Sequence, residues 1–156
     1  MTDTSISGKA QTMAQMQDFA HIREDRIRFA DLDFQQHVGN AALTAILAGA
    51  RFDFLGEHVR PKLEAGSKLV IVKLEAEFHS EVAYGPAVMT GTRILQVGSR
   101  SMRLTQAIFQ DGRCMVSANS VFVYVSDQNG VSTSLPDSVR SLSAEGPSSS
   151  TDQTGA

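Results

Sequence analysis

The sequence predicts an α+β fold in which one long buried helix lies against a curved, mainly antiparallel five-stranded sheet. Residues 41–55 are apolar on nearly every side, which is typical of a helix that other parts of the protein cover. One short alternating segment precedes this helix and four strand-like segments follow it. A helix and a sheet of this kind bury their apolar surfaces against each other.

The segment 22–30 predicts the first strand, because apolar Ile27 and Phe29 flank Arg28. It leads into the turn-rich sequence DLDFQQHVGN, and Asn40 is a favourable N-cap for the helix that follows. The small residues of this helix would allow a sheet to pack closely against it. They are Ala41, Ala42, Ala45, Ala48, Gly49 and Ala50.

After a link at residues 60–67, the four remaining strands are predicted in KLVIVKLEAEFH, AVMTGTRILQV, SMRLTQAIFQ and CMVSANSVFVYV. In the first of these strands, charged residues alternate with apolar ones, which indicates one solvent-exposed face and one apolar face. Short turns at Gly98-Ser99 and Asp111-Gly112 predict hairpins. The last three strands should therefore form an antiparallel meander.

A chain of 156 residues is long enough for one domain with a single core. We expect a flexible N-terminal segment at residues 1–20, a folded domain at residues 21–142 and a disordered tail at residues 143–156. The two terminal segments are rich in small and polar residues and lack a convincing apolar period.

Composition excludes several classes of function. The net charge is −3, and no basic run is interleaved with aromatic residues, so we expect no nucleic-acid partner. The sequence shows no signal peptide and no apolar stretch long enough to span a membrane, so no membrane partner is expected either. Cys114 is the single cysteine and cannot form an intramolecular disulfide. A cytoplasmic location is expected.

The sequence also indicates that the protein needs no metal and no cofactor. The histidines at positions 21, 37, 58 and 79 have no i, i+3 or i, i+4 pairing, and there is no second cysteine. The G-x-S-x-G and G-x-x-x-x-G-K-[ST] motifs are absent, which argues against serine hydrolases and nucleotide hydrolases.

The order of elements and the sequence DLDFQQHVGN resemble the hotdog fold of the 4-hydroxybenzoyl-CoA thioesterase type and its acyl-CoA and acyl-ACP thioesterase relatives. The resemblance covers about residues 22–140. Relatives commonly show D-x-D followed by H-V-N-N at the start of the helix, and Gly39 replaces the first Asn of that motif here. Weaker similarities are ARFDFL at 50–55, GSRSMRL at 98–104 and LPDSV at 135–139.

Two departures from the family pattern bear on function. Many relatives carry one or two Glu residues where this helix has Ala48 and Gly49, and plant-type acyl-ACP thioesterases have Asn in place of Gln35. Gly39 also makes the loop before the helix more flexible, which could loosen an acyl pocket.

Thioester hydrolysis needs a carboxylate that attacks the carbonyl or activates water, together with donors for the developing oxyanion. Asp33, at the expected end of the first strand, lies seven residues before Asn40, close enough in the chain to reach the N-terminus of the helix. The resemblance implies that Asp33 is the catalytic carboxylate and that a backbone amide near Asn40 or Ala41 polarises the thioester. The alternative is that Asp33 only forms an Asx-turn. We interpret Asp31 as structural.

The other candidate site residues have two interpretations each. His37 either orients the water or carboxylate, or simply hydrogen-bonds the loop, and Gln35 is a candidate contact for water or substrate. Arg100 and Arg103 are candidates for binding the phosphates of coenzyme A, although solvated strand-end charges would have the same sequence pattern.

The resemblance therefore implies a homodimeric or homotetrameric thioesterase that hydrolyses an acyl-CoA, or, as a less favoured interpretation, an acyl-ACP, to a free acid and a thiol. The acyl group should be apolar, because the helix offers Leu43, Ile46, Leu47 and Phe52. Two alternatives remain open. One is an enoyl-thioester hydratase or dehydratase using Asp33 and His37, and the other is an acyl-CoA-binding domain without turnover.

Overall fold

The computed structural model describes residues 13–126 and 129–144, and it confirms one long helix against a five-stranded antiparallel sheet. The long helix α1 spans Asn40–Phe54 and a short helix α2 spans Asp137–Arg140. The strands are β1 His21–Asp25, β2 Lys68–Phe78, β3 Val88–Val97, β4 Ser101–Gln110 and β5 Arg113–Val125. Their order in the sheet is β1-β3-β4-β5-β2, and all neighbours are antiparallel.

The two predicted hairpins are present, so the meander of the last three strands is confirmed. Asp111 and Gly112 connect β4 to β5 with φ values of 50° and 75°, which a two-residue hairpin of this type requires. In the β3–β4 connection, the amide of Gly98 donates a hydrogen bond to the carbonyl of Ser101 at 2.8 Å.

The first strand is shorter than predicted, because β1 ends at Asp25 and not at residue 30. The backbone amide and guanidinium of Arg28 both donate to the Asp31 carboxylate, and the chain forms a 3₁₀ turn over Phe29–Asp31. Phe29 is therefore turned out to solvent. The expectation that Asp33 ends the first strand is wrong, because Asp33 lies in the following loop.

The start of α1 also differs from the prediction by one residue. Gly39 is the N-cap and Asn40 is the first helical residue, so Asn40 does not cap the helix. No side chain hydrogen-bonds to the first turn as a cap. The helix continues into a single π-helical turn over Leu55–Val59.

The main core lies between α1 and the inner face of the sheet. Around the N-terminal half of the helix, Leu43 and Leu47 pack in a cluster with Val88, Ile108 and Val116. Around its C-terminal half, the core residues are Phe54, Val59, Met102, Leu104, Phe122, Tyr124, Leu135 and Val139. The outer face of the sheet carries a smaller cluster of Phe19, Ala107 and Phe109.

A buried polar bridge joins the helix to the sheet. The side-chain amide of Gln106 donates to the carbonyl of Leu47 at 3.0 Å and to Thr92 Oγ1 at 2.9 Å. Gln106 Oε1 accepts a hydrogen bond from Arg51 Nη1 at 3.0 Å. Burial lowers the pKa of Arg51, but an arginine remains charged in proteins. The Gln106 side chain therefore satisfies a buried cation and a backbone carbonyl together.

Strand β2 lies at the edge of the sheet and leaves several large apolar side chains exposed. Its predicted alternation is present, because Ala76 packs against the core while Glu75 and Glu77 lie on the other face. The exposed apolar residues of this strand are Val70, Ile71, Val72, Leu74 and Phe78. Among the residues that the structure describes, no helix is long and apolar enough to cross a membrane.

Candidate active site

A cleft of about 330 Å³ opens beside the N-terminus of α1. One wall is the loop that runs from Asp33 to the helix, and the other is the segment that follows β2. The lining residues are Asp33, Gln35, His37, Val38, Asn40, Leu43, Phe78, His79, Ser80, Glu81 and Val82. Seven of these eleven residues are polar or charged and four are apolar, so the cleft offers hydrogen-bonding groups together with a smaller apolar surface.

The loop that carries Asp33 is held by its own hydrogen bonds. Asp33 Oδ1 accepts from the backbone amides of Gln35 at 2.9 Å and His37 at 3.2 Å, and the Asp33 amide donates to the His37 carbonyl at 2.7 Å. Gln36 has a φ of 64°, which closes this tight turn. The Asx-turn expected as the alternative role of Asp33 is thus present. Asp33 Oδ2 has no hydrogen-bond partner within the described chain, so it is free to meet a substrate or water.

The helix N-terminus lies next to this carboxylate. A Cβ built on Gly39 would lie 3.7 Å from Asp33 Cβ, so the loop brings the acidic side chain directly beside the N-cap. Because no side chain caps the helix, its first amides and the positive end of its dipole are available to an anion. A developing oxyanion in the cleft could accept hydrogen bonds from these amides.

Two histidines line the cleft and each has a side-chain partner. His37 Nε2 lies 3.1 Å from Glu81 Oε2, and His79 Nε2 lies 2.8 Å from Ser117 Oγ. The Glu81 carboxylate fixes the direction of the His37 ring across the cleft. This arrangement fits the expected role of His37 in orienting a water molecule or the Asp33 carboxylate.

The structure brings together four of the predicted site residues, namely Asp33, Gln35, His37 and Asn40. Gly39 lies behind the Asp33 side chain, and its φ of −68° does not require glycine. Ala41 is exposed in the first turn of α1 but does not line the cleft in the single chain.

Arg100 and Arg103 do not lie at this cleft. Arg103 is paired with Val121 on β5, whereas Phe78 at the cleft is paired with Val116, about 17 Å further along the same strand. Arg103 also lies on the outer face of the sheet, in a shallow depression with Lys73 and Glu75. Arg100 is exposed in the β3–β4 turn. Neither arginine lines the cleft of its own chain.

The helix positions that carry Glu in many relatives supply no carboxylate here, and the structure explains why position 49 is small. A Cβ on Gly49 would lie 2.6 Å from Arg23 Nη1, because the Arg23 guanidinium lies directly over this residue. Arg23 is held there by Asp25 at 3.0 Å and by Asp53 at 3.1 Å. A cation thus occupies the space where a longer residue at position 49 would project.

Sequence analysis did not identify the second wall of the cleft. Phe78 ends β2, and His79 and Glu81 follow it, some forty residues after the Asp33 loop. No local motif marks these residues. They reach the site because the Val38 amide bonds to the Val82 carbonyl at 3.0 Å, which ties the two segments together. Spacing along the chain likewise does not reveal metal ligands that come from separate elements.

Comparisons with known proteins identify the family to which the chain belongs. Residues 27–142 match the family model of the thioesterase-like superfamily, and the chain therefore belongs to this family. Thioester hydrolysis is the general chemistry that this membership supports. No curated protein matches the chain significantly.

Solved structures show the same fold. A member of the thioesterase superfamily from Jannaschia sp. has a TM-score of 0.76 at 18% identity, with 86% of this chain and 97% of that chain covered. A Thermus thermophilus thioesterase, solved with coenzyme A and Zn, has a TM-score of 0.70 at 25% identity, covering 80% and 97%. A 1,4-dihydroxy-2-naphthoyl-CoA thioesterase from Synechocystis has a TM-score of 0.68 at 15% identity, covering 80% and 96%. The predicted hotdog fold is confirmed.

Proposed function

We propose that this protein hydrolyses an acyl-CoA thioester to a free acid and coenzyme A. The observation that carries the proposal is the position of Asp33, whose unpaired Oδ2 lies in a cleft beside the uncapped N-terminus of α1. In this proposal Asp33 is the base or nucleophile, and the neighbouring amides stabilise the oxyanion.

The chemistry follows from these two groups. Asp33 either takes a proton from water that attacks the thioester carbonyl, or attacks the carbonyl itself to form an anhydride that water then cleaves. In both routes the carbonyl oxygen becomes negative beside the first-turn amides of α1, around Asn40 and Ala41. The carbon–sulfur bond then breaks, and the sulfur leaves as the thiol of coenzyme A.

The substrate we propose carries an apolar acyl group on coenzyme A. Val38, Leu43, Phe78 and Val82 form the apolar part of the cleft lining, which such a group would contact. The thioesterases from Thermus thermophilus and Synechocystis support coenzyme A, and not acyl carrier protein, as the carrier. An aromatic acyl group would agree with the resemblance to the 4-hydroxybenzoyl-CoA thioesterase type.

We further propose that the enzyme works as a homodimer in the cytoplasm, and that two dimers can form a tetramer. The outer edge of β2 has no strand partner in the described chain, and its exposed apolar residues would be covered by a second copy. Phe78 belongs both to this edge strand and to the cleft, so pairing there would also close the site. Arg100 and Arg103 could then reach the phosphates of coenzyme A only from the second subunit.

A second candidate function is acyl-CoA binding without turnover. It is favoured by Arg23, which lies over Gly49 where many relatives carry a carboxylate. If Asp33 alone cannot support hydrolysis, the same cleft would bind the thioester and release no thiol.

A thiol-release screen separates these functions. Purified protein is assayed with short-chain, long-chain and aromatic acyl-CoAs, and binding of each is measured in parallel by calorimetry. We expect catalytic thiol release with at least one apolar acyl-CoA. Binding without release would support the second candidate, whereas hydration of crotonyl-CoA without thiol release would identify an enoyl-thioester hydratase.

A further inference from the structure

A second cluster of polar side chains lies at the opposite end of α1 from the cleft. It consists of His21 on β1 together with Glu57 and His58 in the π-helical turn Leu55–Val59. π-Helical turns inside or at the end of α-helices occur frequently at functional sites. The length of α1 separates this cluster from the Asp33 cleft by about 20 Å. It therefore takes no part in the proposed thioester chemistry.

We propose that His21, Glu57 and His58 form a binding site for a first-row divalent transition-metal ion such as Zn²⁺. Each residue offers one ligand atom, and these three atoms all lie within 4.8 Å of one another. His21 Nε2 lies 3.7 Å from Glu57 Oε2, and His58 Nε2 lies 3.8 Å from Glu57 Oε1. Two imidazoles and one carboxylate are a ligand set that zinc and similar ions prefer.

The two contacts to Glu57 are close to the separation that coordination requires, and the third pair of ligand atoms lies within 4.8 Å. Ligand atoms bonded to zinc at about 2.1 Å with tetrahedral angles lie about 3.4 Å from each other. The two contacts to Glu57 exceed this by a few tenths of an ångström, and Glu57 is exposed enough for its side chain to move. Three protein ligands leave at least one coordination position for water.

The surroundings hold the imidazoles and favour a cation. The His21 ring packs edge-on against Phe54 and against the His58 ring, with both centroid distances at 5.4 Å, and Phe54 also contacts His58 at 4.9 Å. The cluster follows the C-terminal end of α1, where the helix dipole is negative. Within the described chain, Glu57 has no lysine or arginine partner, so its carboxylate is not already neutralised by a permanent cation.

A metal at this position would join the edge strand β1 to the end of α1. β1 has a neighbour only on its β3 side, and it has few contacts with the helix. A bound ion would therefore add a link between two elements whose ligands are separated by 36 residues along the chain. The expected benefit is stability of this end of the molecule.

Isothermal titration calorimetry on the full-length, untagged and chelator-treated protein tests the site directly. We expect one Zn²⁺ per chain, no measurable binding of Mg²⁺, and a rise in melting temperature with Zn²⁺. With Co²⁺ as the probe, we expect visible absorption bands of a nitrogen- and oxygen-coordinated ion. Absence of Zn²⁺ binding, or equal binding of Mg²⁺, would overturn the proposal.

Variants locate the ion. Glu57→Gln and His58→Gln change exposed or half-exposed side chains, so both should remain folded, and each should weaken Zn²⁺ binding at least about tenfold. The matched control is the double variant His37→Gln/His79→Gln, which removes the other two histidines and should leave Zn²⁺ affinity unchanged. If the control loses binding and the Glu57 and His58 variants keep it, the ion binds elsewhere and the assignment is wrong.

Discussion

The Asp33 side chain uses its two oxygen atoms differently. Oδ1 accepts hydrogen bonds from two backbone amides and thereby fixes the loop. Oδ2 has no hydrogen-bond partner among the described residues. The structural and catalytic interpretations of this residue are therefore compatible. One oxygen holds the carboxylate in place, and in the proposed function the other acts on substrate or water.

Replacing Asp33 with Asn tests this division of roles. The amide oxygen of Asn can still accept the two backbone hydrogen bonds, so the loop should keep its shape, but the variant has neither a base nor a nucleophile. Turnover should fall at least about 100-fold with little change in KM. Thiol release and circular dichroism are the measurements.

The matched control for Asp33→Asn is Asp111→Asn. Asp111 lies in the β4–β5 turn with a φ of 50°, a conformation that Asn adopts readily, so activity should be unchanged. The catalytic role is falsified if folded Asp33→Asn releases thiol at more than a tenth of the wild-type rate.

Asp31 is two residues away and has a different role. Its carboxylate caps the 3₁₀ turn by accepting from the amide and guanidinium of Arg28, and these hydrogen bonds lower the pKa of Asp31. Because this pKa is lower in the folded than in the unfolded protein, the ionised form stabilises the fold above the unfolded pKa of about 3.9. That contribution is lost as the pH falls through the lower folded pKa.

Asp31→Asn should consequently be less stable than wild type at pH 7, by a small amount because Arg28 is exposed. The difference should shrink as the pH is lowered from about 4, where Asp31 of the unfolded chain begins to bind a proton, through the lower pKa of Asp31 in the folded protein. Urea unfolding midpoints of both proteins between pH 3 and pH 7 measure this. A difference that grows towards acid pH would contradict the assignment.

At the scale of elements, α1 is attached to the sheet by Gln106 as well as by apolar packing. Gln106 is the acceptor found for the Arg51 guanidinium among the described residues, and it donates to the Leu47 carbonyl of the same helix. A buried charge that loses its partner destabilises a protein more than the loss of a neutral hydrogen bond does.

Gln106→Leu should therefore lower the free energy of unfolding by about 2–3 kcal/mol. Adding Arg51→Met to this variant removes the buried charge that has lost its acceptor, and it should recover part of the lost free energy of unfolding. Urea denaturation of the wild type, the two single variants and the double variant gives a double-mutant cycle for this pair. If the double variant is no more stable than Gln106→Leu, Arg51 has another partner that compensates.

The N-terminal segment before β1 shows a second connection between elements. Sequence analysis assigned Phe19 to a flexible segment at residues 1–20, but its ring is buried on the outer face of the sheet and covers Gly91 of β3. A Cβ at position 91 would overlap this ring. Residues 1–12 and 145–156 lie outside the described chain, so their predicted flexibility stays a prediction.

Gly91→Ala should displace Phe19 and lower the free energy of unfolding by about 1–3 kcal/mol. The same change in a Phe19→Ala background should cost much less, because no ring is then present to be displaced. Thermal or urea unfolding of the four proteins measures the coupling. Equal costs in both backgrounds would show that the ring and Gly91 do not interact.

The elements that sequence analysis predicted correctly are those determined by local signals. The Asp111-Gly112 turn needs two positive φ values, and the all-round apolar composition of residues 41–55 indicates a covered helix. The first strand was predicted too long, because a side-chain contact between Arg28 and Asp31 overrides the alternation. Asp33 and His37 were identified from the loop motif and the resemblance. The far wall at Phe78–Val82 depends on tertiary contacts, which no local pattern indicates.

For the whole molecule, the feature that bears on assembly is the outer edge of β2, which has no strand partner among the described residues. An eleven-residue edge strand with apolar side chains is a strong template for pairing with another strand. Val72 lies near its middle, at the irregularity in pairing with β5, and is 59% exposed. In a two-fold pairing of β2 edges, Val72 would lie close to its own copy.

Light scattering on the wild-type protein at micromolar concentration should give about twice the chain mass of 16.8 kDa, or four times for a tetramer. Val72→Glu should reduce this to a single chain, because two carboxylates would meet at the two-fold axis in an otherwise apolar contact. The control Val131→Glu changes a residue of similar exposure, 57%, outside the sheet, and should leave the mass unchanged. Since Phe78 joins this edge to the cleft, the Val72 variant should also lose most of its thiol release. A wild-type protein of 16.8 kDa, or a fully active single-chain Val72→Glu variant, would show that one chain is the complete enzyme.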